Sequence, residues 1–325
     1  MSAERIAVTG VGLALPGADH PAALLRTEPA GPELFDTGAV IGRRGHRYKD
    51  RATQLALCAA VHALRDAALI PADGEEPSVP GHTVGVVASS NLGNLDTVCR
   101  ITAEIADQGA DRISPMATPN ASSNVVASSV ALRFGLRGPN LMLCNGPGSG
   151  LDAVHWGAGL ITAGRVRQVV VVGVEPRNDI VGGLLGRDPD RLLDGAAALV
   201  LESVRTARGR GVTPAAVLGR YERRAGLGAC VTALLAGPAA GPAPGIWFTP
   251  EGHPAAADGD PVHRSVPRHD LTRAFGPASG ALGVLQCAAA TGWLGAGGTG
   301  PALLTAGDDT ADAVAGLLVE GYEAP

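Results

Sequence analysis

Alternation constrains this chain more than any other feature: short runs rich in Val, Ile, Leu and Ala are separated by longer amphipathic stretches along most of its 325 residues. Residues 6–9, 84–88, 141–144, 169–174 and 198–202 have the length and side-chain type of strands, and 52–68, 95–108, 123–134 and 151–163 carry the helical repeat. Strand and helix in turn predict βαβ units around a mostly parallel sheet, since neighbouring parallel strands need a crossover long enough to hold a helix. A second set begins near residue 213, with strands at 217–221, 246–249 and 303–305 and helices at 278–291 and 311–320. One domain of two successive α/β halves is expected, about 1–205 and 206–325, with the Ala/Gly/Pro stretch 237–245 as a loop inside the second half.

Composition narrows the function classes. A hydrophobic content of 46% drawn from Ala, Val and Leu suits a large core, and no apolar run approaches the roughly 20 residues of a membrane span. The N-terminal MSAERIAVTG lacks a charged segment followed by an uninterrupted apolar one, so a cytoplasmic location without a signal peptide is expected. A net charge of −5, with Lys49 the only lysine, argues against a nucleic-acid groove. Five cysteines, an odd number spread over the chain, argue against a disulfide framework, and no Cys/His spacing suits zinc. Gly10 and Gly12 follow a strand as in a dinucleotide fingerprint, but Leu15 stands where its third glycine belongs. Neither metal nor cofactor is therefore expected.

The segment Gly138 to Ala153, GPNLMLCNGPGSGLDA, reads as strand, tight turn and helix. A turn at a helix N-terminus is a good place to activate a nucleophile, because unpaired N–H groups and the helix dipole favour an anion. Pro147 sits there, and proline has no titratable atom. Ser149 lies within the first turn, where backbone capping is the plain role, and Cys144 at the strand end reads as a small buried apolar residue.

This segment resembles the active-site segment of the β-ketoacyl synthases, thiolase-fold enzymes of fatty-acid and polyketide synthesis, whose pattern is GP, four mostly apolar residues, then S-T-A-C-A-S-G-L-D-A. Gly138, Pro139 and Ser149 to Ala153 match without a gap, and Pro147 falls on the cysteine. Further likenesses run along the chain: Val8 to Gly17, Arg51-Ala-Thr-Gln-Leu-Ala, Val84 to Asn94, the strand ending in Glu175, and Ala198 to Glu202. Aligned in the same way, Gly252 falls on the family's first histidine, with His253 one place on. Ala274 falls on the second histidine, and His269 on the lysine before it. The gating loop G-F-G-G-T has a counterpart in Gly295 to Thr299, with Ala296 for the phenylalanine.

The resemblance implies a thiolase-like α/β fold with duplicated βαβαβ halves in a layered αβαβα arrangement, shortened between 175 and 194, 202 and 246, and 281 and 295. In the family the cysteine carries the acyl chain and two imidazoles stabilise the enolate formed on decarboxylation. An empty set of catalytic positions, Pro147, Gly252, Ala274 and His269, implies a chain-length factor, the non-catalytic β subunit of a type II polyketide synthase. Its implied partners are an active ketosynthase in a heterodimer and an acyl carrier protein with its chain. Leu141, Leu143 and Asn145 would then lie at the dimer interface, and Met116, Ala117, Thr118, Asn120 and Ala121 would line the tunnel for the growing chain. Two other readings stay open: a homodimeric enzyme with rewired chemistry through Ser149 or His253, and a purely structural subunit that binds carrier protein.

Overall fold

The computed structural model describes residues 4–31, 33–46, 48–116, 118–236, 242–254 and 262–324. Its strands are β1 Ile6–Ala14, β2 Val84–Ser89, β3 Asn140–Leu143, β4 Gln168–Glu175, β5 Gly195–Ser203, β6 Ala216–Arg224, β7 Ile246–Phe248, β8 Arg268–His269, β9 Ala302–Ala306 and β10 Val314–Glu320. Its helices are α1 Thr37–Ile41, α2 Arg51–Asp66, α3 Leu95–Gln108, α4 Val125–Arg133, α5 Ser149–Thr162, α6 Asp179–Leu185, α7 Val204–Gly209, α8 Leu227–Leu235, α9 Leu271–Phe275 and α10 Leu282–Gly295.

The strands run in the order β3-β2-β4-β5-β1-β6-β10-β9-β7-β8. With the five strands of each half numbered afresh, both halves read 3-2-4-5-1. In both, the first two pairings are parallel and the last two antiparallel. The halves meet where β1 and β6 pair through Ala7 with Val217 and Val8 with Ala216. This is the duplicated α/β fold expected from the sequence, but the sheet is mixed and not mostly parallel. Four of its nine pairings are parallel and five antiparallel, because the fifth strand of each half runs antiparallel to both of its neighbours and the halves meet in an antiparallel pair.

Side-chain alternation explains the layers. On β4, Val169 and Val171 face the central core while Val170, Val172 and Val174 face the core under α2. β5 splits likewise, Leu199 and Leu201 against Ala198 and Val200, so strands buried on both faces read as continuous apolar runs. α2 and α4 cover the first half, α8 covers β6 and β10, and α5 and α10 lie between the halves. The glycines set the spacing. A Cβ on Gly12 would lie 2.1 Å from the Ala59 carbonyl oxygen, so the Gly-x-Gly of β1 lets α2 seat on the strand. At the centre, a Cβ on Gly283 would lie 2.2 Å from the Leu151 nitrogen, which is why α5 and α10 can touch.

The helix expected at 311–320 also fails. Residues 314–320 form β10 between β6 and β9, because an apolar run such as VAGLLV fits a buried strand as well as a helix and only its neighbours decide. Helices α1, α6, α7, α8 and α9 and strand β8 were not foreseen.

Candidate active-site cleft

The turns after β3, β4, β7 and β9 converge at the carboxyl ends of the parallel strands, the usual place for a site in such sheets. Between them lies a cleft of about 410 Å³. Pro147 contributes to its lining from the turn before α5, Val181 and Leu185 from α6, Pro250, Glu251 and Gly252 from the turn after β7, and Gly307 and Asp308 from the turn after β9.

The Pro147 turn is held from three sides. Gly146 has φ +86, a conformation that favours glycine. The Ser149 hydroxyl, fully buried, donates to the Gly146 carbonyl at 2.7 Å and accepts from the Asn145 N–H at 2.9 Å. Asn91 brackets the same glycine, donating to its carbonyl at 3.0 Å and to the Ser279 hydroxyl at 2.9 Å. Ser149 thus shapes the turn from within and is not among the residues that line the cleft. Asp152, in the first turn of α5, accepts from the Asn145 side chain and the Tyr221 hydroxyl and has Arg223 Nε at 3.5 Å, so it ties this turn to β6.

Glu175 ends β4 at the inner wall of the cleft, almost wholly buried. Its Oε1 accepts from the N–H groups of Asn91 (2.7 Å) and Gly280 (3.0 Å), and its Oε2 from the Ser90 hydroxyl (2.8 Å) and the Leu92 N–H (3.0 Å). Both oxygens are engaged within the fold, by three N–H groups and by a Ser90 hydroxyl that can turn to accept when the carboxyl is protonated, so Glu175 is a clamp between the halves and not a base. Burial pushes its carboxyl up to about 7, against the pull of those hydrogen bonds. The folded protein therefore holds a proton that the unfolded chain releases. The stability this contributes is fully present below the ordinary value of 4.5 and is lost as pH rises through about 7. Denaturant titrations should accordingly show the unfolding free energy of the wild type, minus that of Glu175→Gln, falling between those two pH values. A difference that rises with pH would contradict the assignment.

The structure brings Pro147 and Gly252 to one cleft and places Ala274 elsewhere. Ala274 lines a second cleft of about 540 Å³ that shares Arg187, Leu192, Leu193, Thr272 and Pro277 with the first. His269 borders neither cleft: its Nε2 lies 3.0 Å from the Leu24 carbonyl oxygen, its ring meets Phe248 edge-on at 5.6 Å, and burial lowers its pKa. His253 turns its ring toward Trp247, 4.9 Å away. The loop from Gly295 to Thr299 borders neither cleft. Ala296 caps α10, while Gly307 and Asp308, from the turn after β9, line the first cleft. Cys144, expected buried, is exposed because β3 is the edge strand of the sheet.

Among the tunnel candidates, Met116 and Thr118 are exposed and Ala121 half-buried, while Asn120 is buried and donates to the Tyr48 carbonyl; none lines either cleft. Ala117 lies outside the described residues. Leu141 and Leu143 are half-buried on β3, and Asn145 is exposed. Sequence reasoning missed Asn91, Glu251 and Arg187; only the strand ending in Glu175 had pointed to this wall. Among the described residues no group of three or more His, Cys, Asp or Glu could hold a metal, and no helix is long and apolar enough to cross a membrane.

Residues 30–183 match the family described as beta-ketoacyl synthase, N-terminal domain. That match takes in just under half of the chain. The chain is 26% identical over 200 residues to a 3-oxoacyl-[acyl-carrier-protein] synthase 2 of Vibrio harveyi, covering 54% of this chain and 47% of that protein. It is 26% identical over 256 residues to the protein of the same name from Vibrio cholerae, covering 65% and 61%. The chain thus spans about half to three-fifths of the length of these relatives. Among solved structures, the ishigamide ketosynthase/chain length factor superposes with a TM-score of 0.76 at 24% identity, over 98% of this chain and all of that one. A type II polyketide synthase ketosynthase in complex with its acyl-carrier protein superposes at 0.75 and 16% identity, over 99% of this chain and all of that one. These likenesses give the fold: that of the thiolase-like ketosynthases.

Proposed function

We propose that the chain is a non-catalytic subunit of the chain-length-factor kind, which pairs with an active ketosynthase and shapes the space for a polyketide chain carried on acyl carrier protein. The observation that carries this reading is the cleft itself. It lies at the carboxyl ends of the strands, yet Pro147 and Gly252, at two of the positions where the resemblance puts catalytic groups, bring no nucleophile and no imidazole. The third such position, Ala274, brings none either.

Pairing is supported by the edge of the sheet. β3 ends the strand order, so one side of it has no neighbour, and such an edge is a template for a second chain. The helices on either side of β3 carry large exposed apolar residues, Leu132 on α4 at 83% and Trp156 on α5 at 55% exposure. Leu141, Leu143 and Asn145 would lie at that interface, and Met116, Thr118, Asn120 and Ala121 along the tunnel wall.

The test is co-expression with a ketosynthase that keeps its cysteine and both histidines. Size-exclusion chromatography with light scattering should give a 1:1 heterodimer. Trp156→Ala should weaken it by on the order of thirtyfold, the loss of about 2 kcal/mol typical of a buried aromatic anchor. Within the reconstituted pair, Ala121→Trp should shift the product to shorter chains. A stable monomer that ignores the ketosynthase would refute the pairing, and unchanged chain length would refute the tunnel role.

A further inference from the structure

The second cleft has a chemistry of its own. Its floor is apolar, formed by Leu15, Leu193, Ala274 and Phe275, all buried, and its rim is charged. Lining it are Arg177, Arg187, Arg191 and Arg273 against Glu33, Asp190 and Asp194. Most of these charges are already committed. Asp194 is gripped by Arg51 from outside the cleft at 2.5 Å, Arg177 reaches Asp190 at 3.6 Å, and Arg273 reaches Asp270 at 3.6 Å. Arg187 and Arg191 are left, with no side-chain hydrogen bond or ion pair among the described residues, and opposite them only the exposed Glu33.

These two arginines stand four residues apart on the segment joining α6 to β5, which is stiffened by the left-handed Gly186 and by the short helical turn Pro189–Arg191. A guanidinium stays charged at any accessible pH, and its planar fork fits two oxygens of a carboxylate or phosphate. A cleft of about 540 Å³ falls in the range that encloses small organic ligands.

We infer that this cleft binds a small organic anion, its carboxylate or phosphate head held by Arg187 and Arg191 and its apolar body laid against Leu15, Ala274 and Phe275. The inference is independent of the role proposed for the first cleft. Because Arg187 also borders that cleft, an occupant would be felt there.

Calorimetric titration of the full chain, alone or in its heterodimer, with octanoate, octyl phosphate, 1-octanol and inorganic phosphate at low salt tests it. Both octyl anions should bind, and whichever binds tighter identifies the head group. Octanol and inorganic phosphate should each bind at least tenfold more weakly, one lacking the charge and the other the apolar body. The double variant Arg187→Ala/Arg191→Ala should weaken both octyl anions at least tenfold while leaving the melting temperature and octanol binding unchanged, since both side chains are exposed. Ala274→Trp, which fills the floor, should weaken the octyl anions but not inorganic phosphate. The inference is overturned if octanol binds as well as octanoate, if phosphate binds as well as octyl phosphate, if the arginine variant binds the anions unchanged, or if no anion binds at millimolar concentration.

Discussion

Arg51→Ala is expected to cost the fold about 3 to 5 kcal/mol, a large share of the 5 to 15 kcal/mol typical of a whole domain. The Arg51 side chain lies at the start of α2 and holds Asp194 with its Nε at 3.1 and 3.2 Å and its Nη2 at 2.5 Å, while Nη2 also donates to the Phe35 carbonyl at 2.8 Å. Asp194 has only 3% of its side chain exposed, so removing the guanidinium leaves a buried carboxylate whose one remaining hydrogen bond among the described residues is from the Arg177 N–H at 3.5 Å. Most of the loss is that stranded charge and not the worth of the pair. Replacing both residues by apolar ones of similar volume, Arg51→Met with Asp194→Leu, should therefore recover most of the stability. Urea denaturation of the single and double variants measures this. A single variant within about 1 kcal/mol of wild type would mean that Asp194 finds water or another partner.

The sequence made the fold legible where local pattern and tertiary position agree. β4 and β5 are apolar on both faces because both faces are buried, and the run alone says so. It failed at residues 311–320, where the strand depends on pairing with β9 and with β6, the latter far back along the chain. The site divides in the same way. Pro147 and Gly252 are readable because each sits in a local turn with its own motif. Glu175 is unreadable as a clamp because its donors come from residues 83 to 105 positions away. Ala274 and the Gly295 to Thr299 loop were aligned on short motifs, but the chain's route places one in the neighbouring cleft and the other at the end of α10, leaving Gly307 and Asp308 at the wall.

The proposed function has a chemical consequence: with Pro147, Gly252 and Ala274 at the aligned catalytic positions, the chain should be silent in acyl transfer. An acyl transfer needs a nucleophile at the helix mouth. Pro147 offers none, Ser149 is buried with its hydroxyl committed to the turn, and Cys144, three residues before Pro147, borders neither cleft. Pro147→Cys alone should not give condensation either. Each missing oxyanion donor typically costs about a hundredfold to a thousandfold in rate, and two are absent. The most direct measurement is intact-protein mass spectrometry after incubation with acyl-loaded carrier protein, in the presence of the ketosynthase so that both subunits are read in one spectrum. This chain should keep its unmodified mass of 32.6 kDa while the ketosynthase gains the acyl group. A stoichiometric acyl adduct on this chain would contradict the account.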